Sequence, residues 1–408
     1  MSTARPKRIG MLLEGRFPPD IRVENEALTL ARHGFEIHIF CLSFEDQPLM
    51  EQFSDRVFVH RRRISKAVFN KLHITILHFP LYRKFWERFV QKCRIPLDGI
   101  HIHDLPLACV GLRLSKRWGI PLILDFHENY PAALKIWEHA QKRLAQPFLN
   151  YERWRRYEQD MVAQADRVIL VVDEAEERFT KWGFSEEKFV VVSNTLNTTN
   201  FPNADEEKAE GIRGSDFIIL YAGGLEIHRG LETGIEAISK ILQALPQAKL
   251  LIVGRGRNQS LLEHLAKVRG ITERVKFIGW VPFQEIPTYT ASCHVYLIPS
   301  LQTEHTNTTL PHKLFQAWYL EKPVVVSDCR PLKRVVQEVD GGLVFQAGNP
   351  EDLAGQIIRL KDPQLRQEMG KKGKQAVLHR YNWLVDGQRL VQLYRELLHG
   401  DRIPKSLL

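Results

Sequence analysis

Two sets of residues in this chain have the types and spacing to do chemistry. The first is Asp125-Phe126-His127-Glu128, which follows an apolar run. Alternation along an extended chain puts Asp125 and His127 on the same side, and histidine is the side chain most easily poised for proton transfer near neutrality. His101, His103 and Asp104 end another apolar segment nearby in sequence. A metal held by His101, His103, Asp125 and His127 is conceivable by donor type, but no zinc-type motif accompanies them and no metal is expected. The second set lies in the other half of the chain. Arg229-Gly230 precedes an apolar helix, where a cation can meet a phosphate presented to the helix start. Lys313 falls in the first turn of a helix begun by Pro311, a position the helix dipole disfavours unless an anion shares it. Gly254-Arg255-Gly256 follows a strand and can expose backbone N–H groups to an anion, although a plain tight turn has the same composition. Thr303, Thr306, Asn307, Thr308 and Thr309 precede Lys313 and offer hydroxyl and amide groups suited to a sugar. Together the two sets imply an activated, anionic substrate in a cleft between two α/β domains.

The elements that must position these groups alternate between short apolar strands and helices. Strands are predicted at 7–13, 36–42, 55–60, 100–103, 122–125, 168–172 and 190–192, with helices at 21–33, 107–118 and 151–164. The polar stretch 194–214 has no periodicity and reads as a linker. The pattern then restarts, with strands at 217–221, 248–253, 275–278, 295–298, 323–327 and 344–345 and a helical C-terminal region from Pro350 to Leu397. Such alternation makes parallel sheets covered on both faces, and open parallel sheets bind ligands beyond the carboxyl ends of their strands. The expected organisation is an acceptor-side domain at 1–195, a linker at 196–214, a second domain at 215–385 and a C-terminal helix at 386–408 that returns toward the first domain.

The totals agree with two domains. A chain of 408 residues, 44% hydrophobic and 26% charged, is globular and long for a single core. Five widely spaced cysteines with no CxxC pair argue against a disulfide scaffold and for a reducing cytoplasm. The first residues have too short an apolar stretch for a signal peptide, and no run approaches the ~20 residues that span a bilayer. Net charge is +9, and between Arg61 and Arg94 ten Lys/Arg face one acid, Glu87. Trp86, Phe79, Phe85 and Phe89 are interleaved there, which suits an anionic membrane surface. A solvated basic face is the simpler alternative. Nucleic acid is not expected, because no recognisable binding module accompanies the charge.

At this point the chain resembles the retaining glycosyltransferases of family 4, group 1. The resemblance rests on Pro311-His312-Lys313-Leu314-Phe315-Gln316-Ala317-Trp318 followed by Glu321-Lys322-Pro323-Val324-Val325-Val326-Ser327. It rests also on Tyr221-Ala222-Gly223-Gly224-Leu225 with His228-Arg229-Gly230, and on Gly342-Leu343-Val344 with Asn349-Pro350-Glu351-Asp352-Leu353-Ala354. The resemblance implies the GT-B architecture, α/β with two Rossmann-like parallel-sheet domains facing a central cleft. It implies metal-independent, retaining transfer of a hexosyl group from a UDP-, GDP- or ADP-linked sugar to a polysaccharide, lipid-linked saccharide or lipid. By the same resemblance His127, Arg229 and Lys313 are the catalytic candidates. Gly224, Gly254, Gly256, Val281, Thr308, Thr309 and Gln316 line the donor, and Gly15, Arg16, Asp125 and Glu128 lie on the acceptor side. No cofactor is implied, and a place on the inner face of the plasma membrane fits the basic stretch.

Two departures stand out. The family carries two glutamates separated by seven residues, and here Thr308 and Gln316 occupy those places. Gln316 can accept a hydrogen bond, but without charge and through one oxygen. Gly224 stands where many relatives have a phosphate-binding arginine. A noncatalytic subunit that binds sugar nucleotides, or an epimerase of the same fold, are the alternative readings. In the loop Gly15-Arg16-Phe17-Pro18-Pro19-Asp20-Ile21-Arg22, the two arginines favour an anionic acceptor.

Overall fold

A computed structural model describes residues 5–205 and 216–400. The chain divides into two compact units, one of residues 1–193 and 384–408 and the other of residues 194–383. The expected linker at 196–214 lies partly outside the described residues. Within its described part, Leu196 bridges Asn382 and accepts from the Trp383 N–H at 3.0 Å.

The first unit is built on β1 (Arg8–Leu13), β2 (Glu36–Ser43), β3 (Met50–Ser54), β4 (Val57–Arg63), β5 (Gly99–His103), β6 (Leu122–Phe126), β7 (Arg167–Leu170) and β8 (Phe189–Val191). Their order in the sheet is β3-β4-β2-β1-β5-β6-β7-β8, and every pairing is parallel except β3 with β4. The β3 hairpin strand was not expected from sequence. Its residues are only half-buried, so it lacks the apolar run by which the other strands declare themselves. From β1 the chain first adds strands on one side and then, from β5 on, on the other. The order therefore reverses between β1 and β5, which is where an open sheet leaves a crevice for a ligand.

The second unit contains β9 (Phe217–Ala222), β10 (Ala248–Val253), β11 (Val275–Gly279), β12 (Val295–Ile298), β13 (Val324–Ser327) and β14 (Gly342–Phe345). They form an all-parallel sheet in the order β11-β10-β9-β12-β13-β14, so its reversal lies between β9 and β12. Its strands are nearly continuous runs of Val, Ile and Leu, as sheets covered on both faces require. The helices Leu231–Ala244 and Pro350–Arg359 bury Ile235, Ile238, Leu353 and Ile357 in that unit's core.

The final helix, Trp383–His399, leaves the second unit and packs on the first. Tyr394 is fully buried there, with Phe35 at 5.6 Å between ring centroids. Among the described residues, no helix is long and apolar enough to cross a membrane.

Candidate functional site

In the first unit, register fixes the groups at the strand ends. Leu13 lies opposite His103, and His103 opposite Asp125, so Glu14, Asp104 and the turn Phe126-His127 follow side by side. Asp104 takes a left-handed backbone, φ 63°, while its N–H donates to the Asp125 carbonyl at 2.8 Å. Its Oδ1 accepts from the His127 backbone N–H at 3.2 Å, which holds the turn against β5.

Behind this rim lies a buried ionic network centred on Asp125, which is 0% exposed. Arg22 grips it with two bonds, Nε to Oδ2 at 3.0 Å and Nη2 to Oδ1 at 2.6 Å. His127 Nε2 reaches the same Oδ2 at 2.7 Å, and His103 Nδ1 lies 3.2 Å from it. Arg22 also pairs with Glu26 at 3.1 Å, four residues on, and donates to the Val192 carbonyl at 2.9 Å. His101 contacts the Tyr394 hydroxyl at 2.7 Å, tying the final helix into the network. The helix Ile21–Arg32 aims both Arg22 and Glu26 inward from its first two turns, with Asp20 capping it through the Val23 N–H at 3.1 Å. A cation at a helix start opposes the dipole. Here the Asp125 carboxylate, bonded twice by Arg22, offsets that penalty.

The charges follow from burial and neighbours. Burial works against ionising Asp125, yet Arg22 and His127 hold its carboxyl well below the usual range. Burial likewise opposes charging His127, but Asp104 and Asp125 win and raise it to about 10, so the ring is an imidazolium at neutral pH. Burial raises Glu26 to about 8, helped by the neighbouring Asp125 charge, so it is the protonated member. His101 and His103 are pushed down by burial and stay neutral. Glu26, His101, His103 and Asp125 bring ligand atoms within 4.8 Å of one another. The guanidinium of Arg22 already lies on both carboxyl groups, in the place a cation would take.

Asp125, expected on the acceptor side, faces inward and orients His127. Arg22 is neutralised inside the network and gives no anion site. Arg16 is exposed and pairs with Glu45 at 3.0 Å. Gly15 is not needed for space, since a Cβ there would meet only the Leu13 side chain at 3.8 Å. Glu128 is half-buried beside the turn. The interleaved apolar side chains at 61–94 divide: Tyr82, Trp86 and Phe89 are buried, while Phe79 and Leu81 stay 54% and 63% exposed.

The sequence reading missed Glu14, Glu26, Tyr82 and Tyr394. One signal was available for Glu26. Val23, Ala27, Leu30 and Ala31 mark the apolar face of its helix, and Glu26 lies on that same face.

In the second unit the groups gather at the reversal between β9 and β12. Gly223 follows β9, and its N–H donates to the Val253 carbonyl at 2.9 Å. Gly254 follows β10 with φ 137°, and a Cβ there would stand 1.9 Å from the Gly223 oxygen. A Cβ on Gly256 would meet the Leu225 nitrogen at 2.5 Å, so these two glycines are required for one turn to lie on the other. Lys313, in the first turn of the helix His312–Tyr319, lies over the Tyr221 ring at 4.0 Å and donates to the Ala222 carbonyl at 3.3 Å. Burial, and then the nearby Arg229 charge, hold the Lys313 ammonium well below its ordinary range. Arg229 has a buried Nε with no hydrogen-bond partner, and its nearest acid, Glu226, is 3.8 Å away. His228 is pushed down to about 3 by burial together with Arg229, His305 and Lys313. An anion would relieve this crowding of positive charge.

Gln316 lies one turn beyond Lys313 and is half-buried, as is Val281 after β11. Thr308 is only 9% exposed, and its hydroxyl bonds the carbonyls of Glu304 at 3.0 Å and His305 at 3.1 Å. Thr309 bonds the His305 carbonyl at 3.3 Å. These hydroxyls close their own loop. Gly224 lies against the Glu226 carboxylate, so an arginine at this place would start beside an acid.

Residues 203–376 match the family Glycosyl transferases group 1, and residues 21–200 match Glycosyltransferase Family 4. The D-inositol 3-phosphate glycosyltransferase of Paenarthrobacter aurescens (strain TC1) is 24% identical over 404 residues, covering 95% of this chain and 94% of that protein. Among solved structures, sucrose-phosphate synthase from Thermosynechococcus elongatus has a TM-score of 0.80 at 21% identity, over 97% of this chain and 100% of that one. Anabaena HepE in complex with UDP-glucose has a TM-score of 0.70 at 19% identity, over 96% of this chain and 100% of that one. These likenesses show two Rossmann-like domains.

Proposed function

We propose, for a chain that belongs to the glycosyltransferases of GT-B fold, that it moves a hexosyl group from a nucleotide sugar to a polysaccharide, lipid-linked saccharide or lipid with retention of configuration. The carrying observation is the set of cations at the second unit's sheet reversal: Arg229 with its orphaned, buried Nε, and Lys313 held below its ordinary range by burial and by Arg229. A diphosphate supplies the charge both lack. The Gly254–Gly256 turn brings backbone N–H groups close, and Gln316 accepts from the ribose.

In the reaction the bond from the sugar's anomeric carbon to the diphosphate oxygen breaks, and its electron pair stays on the leaving phosphate. Arg229 and Lys313 stabilise that developing charge. The acceptor oxygen forms the new bond to the same carbon, and its proton passes to the leaving phosphate oxygen. His127 is no general base here, because as an imidazolium it has no lone pair at neutral pH. It serves as a hydrogen-bond donor to the transferred sugar through Nδ1, which is only weakly engaged with Asp104 at 3.4 Å.

Of UDP-, GDP- and ADP-linked donors, UDP is favoured by the likeness to a protein solved with UDP-glucose. The exposed cations Arg62, Lys66, Lys71, Lys84, Arg88 and Lys92, with exposed Phe79 and Leu81, favour an anionic membrane surface on the cytoplasmic side. The five unpaired cysteines suit that compartment.

The deciding experiment incubates the protein with UDP-, GDP- and ADP-glucose and a membrane extract, and reads the product's anomeric configuration by NMR. Transfer with retention supports the reading. Inversion, or no transfer from any donor, defeats it. Sedimentation with vesicles containing anionic lipid tests the surface, which is rejected if neutral vesicles bind equally well.

A further inference from the structure

The first unit holds a cavity of about 680 Å³ that the transfer reaction does not use. Its floor is one face of the sheet near the β3 edge. Register sets His38 opposite Phe58, Phe40 opposite His60, and His60 opposite Met50. Alternation turns Glu36, His38 and Phe40 to the same face as Phe58, His60 and Arg62. The end of the helix Pro80–Lys92 supplies a wall, with Phe89 and Lys92 and then Cys93. Leu49 and Met50, 63% and 62% exposed, stand at the mouth. β4 lies beyond β2 from β1, so the cavity is away from the reversal between β1 and β5.

A relay of hydrogen bonds leaves a lone pair at this floor. Arg8 Nε donates to Glu36 Oε1 at 2.7 Å, and the same oxygen meets His38 Nε2 at 2.9 Å, so that nitrogen carries a proton. Burial lowers His38 and keeps its ring neutral, so Nδ1 is its acceptor. His60 Nε2 lies 3.1 Å from that Nδ1 and must donate to it. Burial, and then the neighbouring His38, push His60 down to about 4, so at neutral pH its Nδ1 holds no proton. His60 is only 5% exposed and stacks on Phe40 at 5.0 Å between ring centroids, which fixes the ring. Its Nδ1 has no hydrogen-bond partner among the described residues, and it is open to the cavity that the ring lines. A polar group this deep without a partner asks for one. The charges around the mouth are divided. Glu36 is matched by Arg8, Asp46 by Arg63 and Arg61 by Glu51. Arg62 and Lys92 are exposed and have no carboxylate partner among the described residues. Arg62 stands two residues beyond His60, roughly 7 Å along the strand.

We propose that this cavity is a second ligand site, for a small amphiphilic anion. A hydroxyl or N–H group of the ligand donates to His60 Nδ1, its apolar body lies against Phe58, Phe89 and Met50, and its carboxylate or phosphate meets Arg62 and Lys92. A plain lipid chain would suit the walls but leave the His60 lone pair unmatched. A free sugar would match the lone pair but not the apolar walls, and a cation would be opposed by Arg62 and Lys92. The volume is that of ordinary small-molecule sites. The inference stands independently of the transferase reading.

The test uses full-length protein and the probe 3-(4-hydroxyphenyl)propionate, with a phenol and a carboxylate at opposite ends of an apolar body. The comparisons are 3-phenylpropionate, which lacks the donor, 4-ethylphenol, which lacks the charge, and vesicles containing anionic lipid. Cys93 is the reporter: it lines the cavity and is the one cysteine of the five that is not buried, so its alkylation in native protein reads occupancy. The probe should slow that alkylation with a Kd of about 1 mM, the scale for about twelve non-hydrogen atoms. Loss of the hydroxyl should weaken protection about fivefold, and loss of the carboxylate about tenfold. His60→Phe should erase the hydroxyl preference. Arg62→Ala with Lys92→Ala, both exposed, should erase the carboxylate preference, which keeps the test open if the His60 variant misfolds. In NMR of ¹⁵N-histidine protein, His60 Nδ1 should be unprotonated in the free protein at pH 7 and should shift with the hydroxyl probe alone. No protection by that probe at about ten times the expected Kd, equal protection by 3-phenylpropionate, or protection by vesicles only, overturns the proposal. So does a protonated His60 Nδ1 in the free protein, or preferences unchanged in the variants.

Discussion

Replacing Asp125 by Asn tests whether the buried network is a clamp on His127 or an accident of packing. The change conserves shape and removes one charge at a position 0% exposed. It strips Arg22 of a two-bond partner at 2.6 and 3.0 Å and His127 of one at 2.7 Å. Removing one member of a buried ion pair costs about 3–5 kcal/mol. For a unit of this size each kcal/mol moves the midpoint by about 2–4 °C, so thermal unfolding should fall by about 6–20 °C.

The pH dependence has a definite sign. His127 is raised from 6.5 to about 10, so its contribution is complete below 6.5 and is lost as pH rises through about 10. Asp125 is lowered well below 3.8, so its contribution is complete above 3.8 and is lost only in strong acid. The difference between wild type and Asp125→Asn should therefore peak between about pH 4 and 6.5 and shrink toward pH 10. Thermal melts across this range, with NMR titration of the His127 ring, measure both. A variant within about 1 kcal/mol of wild type at pH 6, or a His127 ring titrating near its ordinary value in wild type, would refute the reasoning.

Other outcomes follow from the same geometry. Glu26 is raised from 4.5 to about 8, so its stabilisation is complete below 4.5 and is lost as pH rises through 8; Glu26→Gln, which mimics the protonated form, should flatten the fall in melting temperature across that window. Lys313 should take up a proton when a diphosphate arrives, so calorimetry of UDP binding in buffers of different ionisation enthalpy should show net proton uptake, absent in Lys313→Met. Lys313→Met should also lower kcat by about a hundredfold or more, the scale of losing one transition-state charge partner, and near-normal turnover would remove it from the site. Gly254→Ala should lose more than about 2 kcal/mol of stability, since its Cβ meets a carbonyl at 1.9 Å at φ 137°; an unperturbed melt would show the turn can open.

Most of the fold was legible because parallel strands announce themselves as apolar runs. Ala248–Val253 and Val295–Ile298 coincide with their predicted spans. Met50–Ser54 was not legible, because an edge hairpin strand with charged and polar side chains carries no such run. Of the site, the second unit's glycine turns and cations could be picked out, since Gly254 and Lys313 are odd choices for the local backbone they occupy. The first unit's chemistry was harder to see. Arg22 and Glu26 have the spacing of a surface helical pair, and only the third dimension shows them enclosed with Asp125. Asp125 and His127 were placed together by alternation, but alternation cannot say which of them faces solvent. The aromatics at 82–89 share their segment with exposed cations, and segment composition does not tell which face each side chain takes.

The two units handle charge in opposite ways at equivalent places in their sheets. In the second, the reversal collects Arg229 and Lys313, with Glu226 3.8 Å from the Arg229 Nε as the acid beside them. In the first, the cations Arg22 and His127 are matched by Asp125 and Asp104, with Glu26 protonated. Long-range attraction falls with the Debye length, about 8 Å at physiological salt, whereas hydroxyl hydrogen bonds depend little on ionic strength. On the proposed reading the donor's diphosphate is drawn by charge to the second unit, while the first unit keeps its buried charges paired. Gln316 fits this division. With Gly224 in place of an arginine, the second unit has few cations for a diphosphate, and a carboxylate one turn from Lys313 would compete for that lysine. An uncharged amide leaves the lysine to the phosphate while still accepting a hydrogen bond.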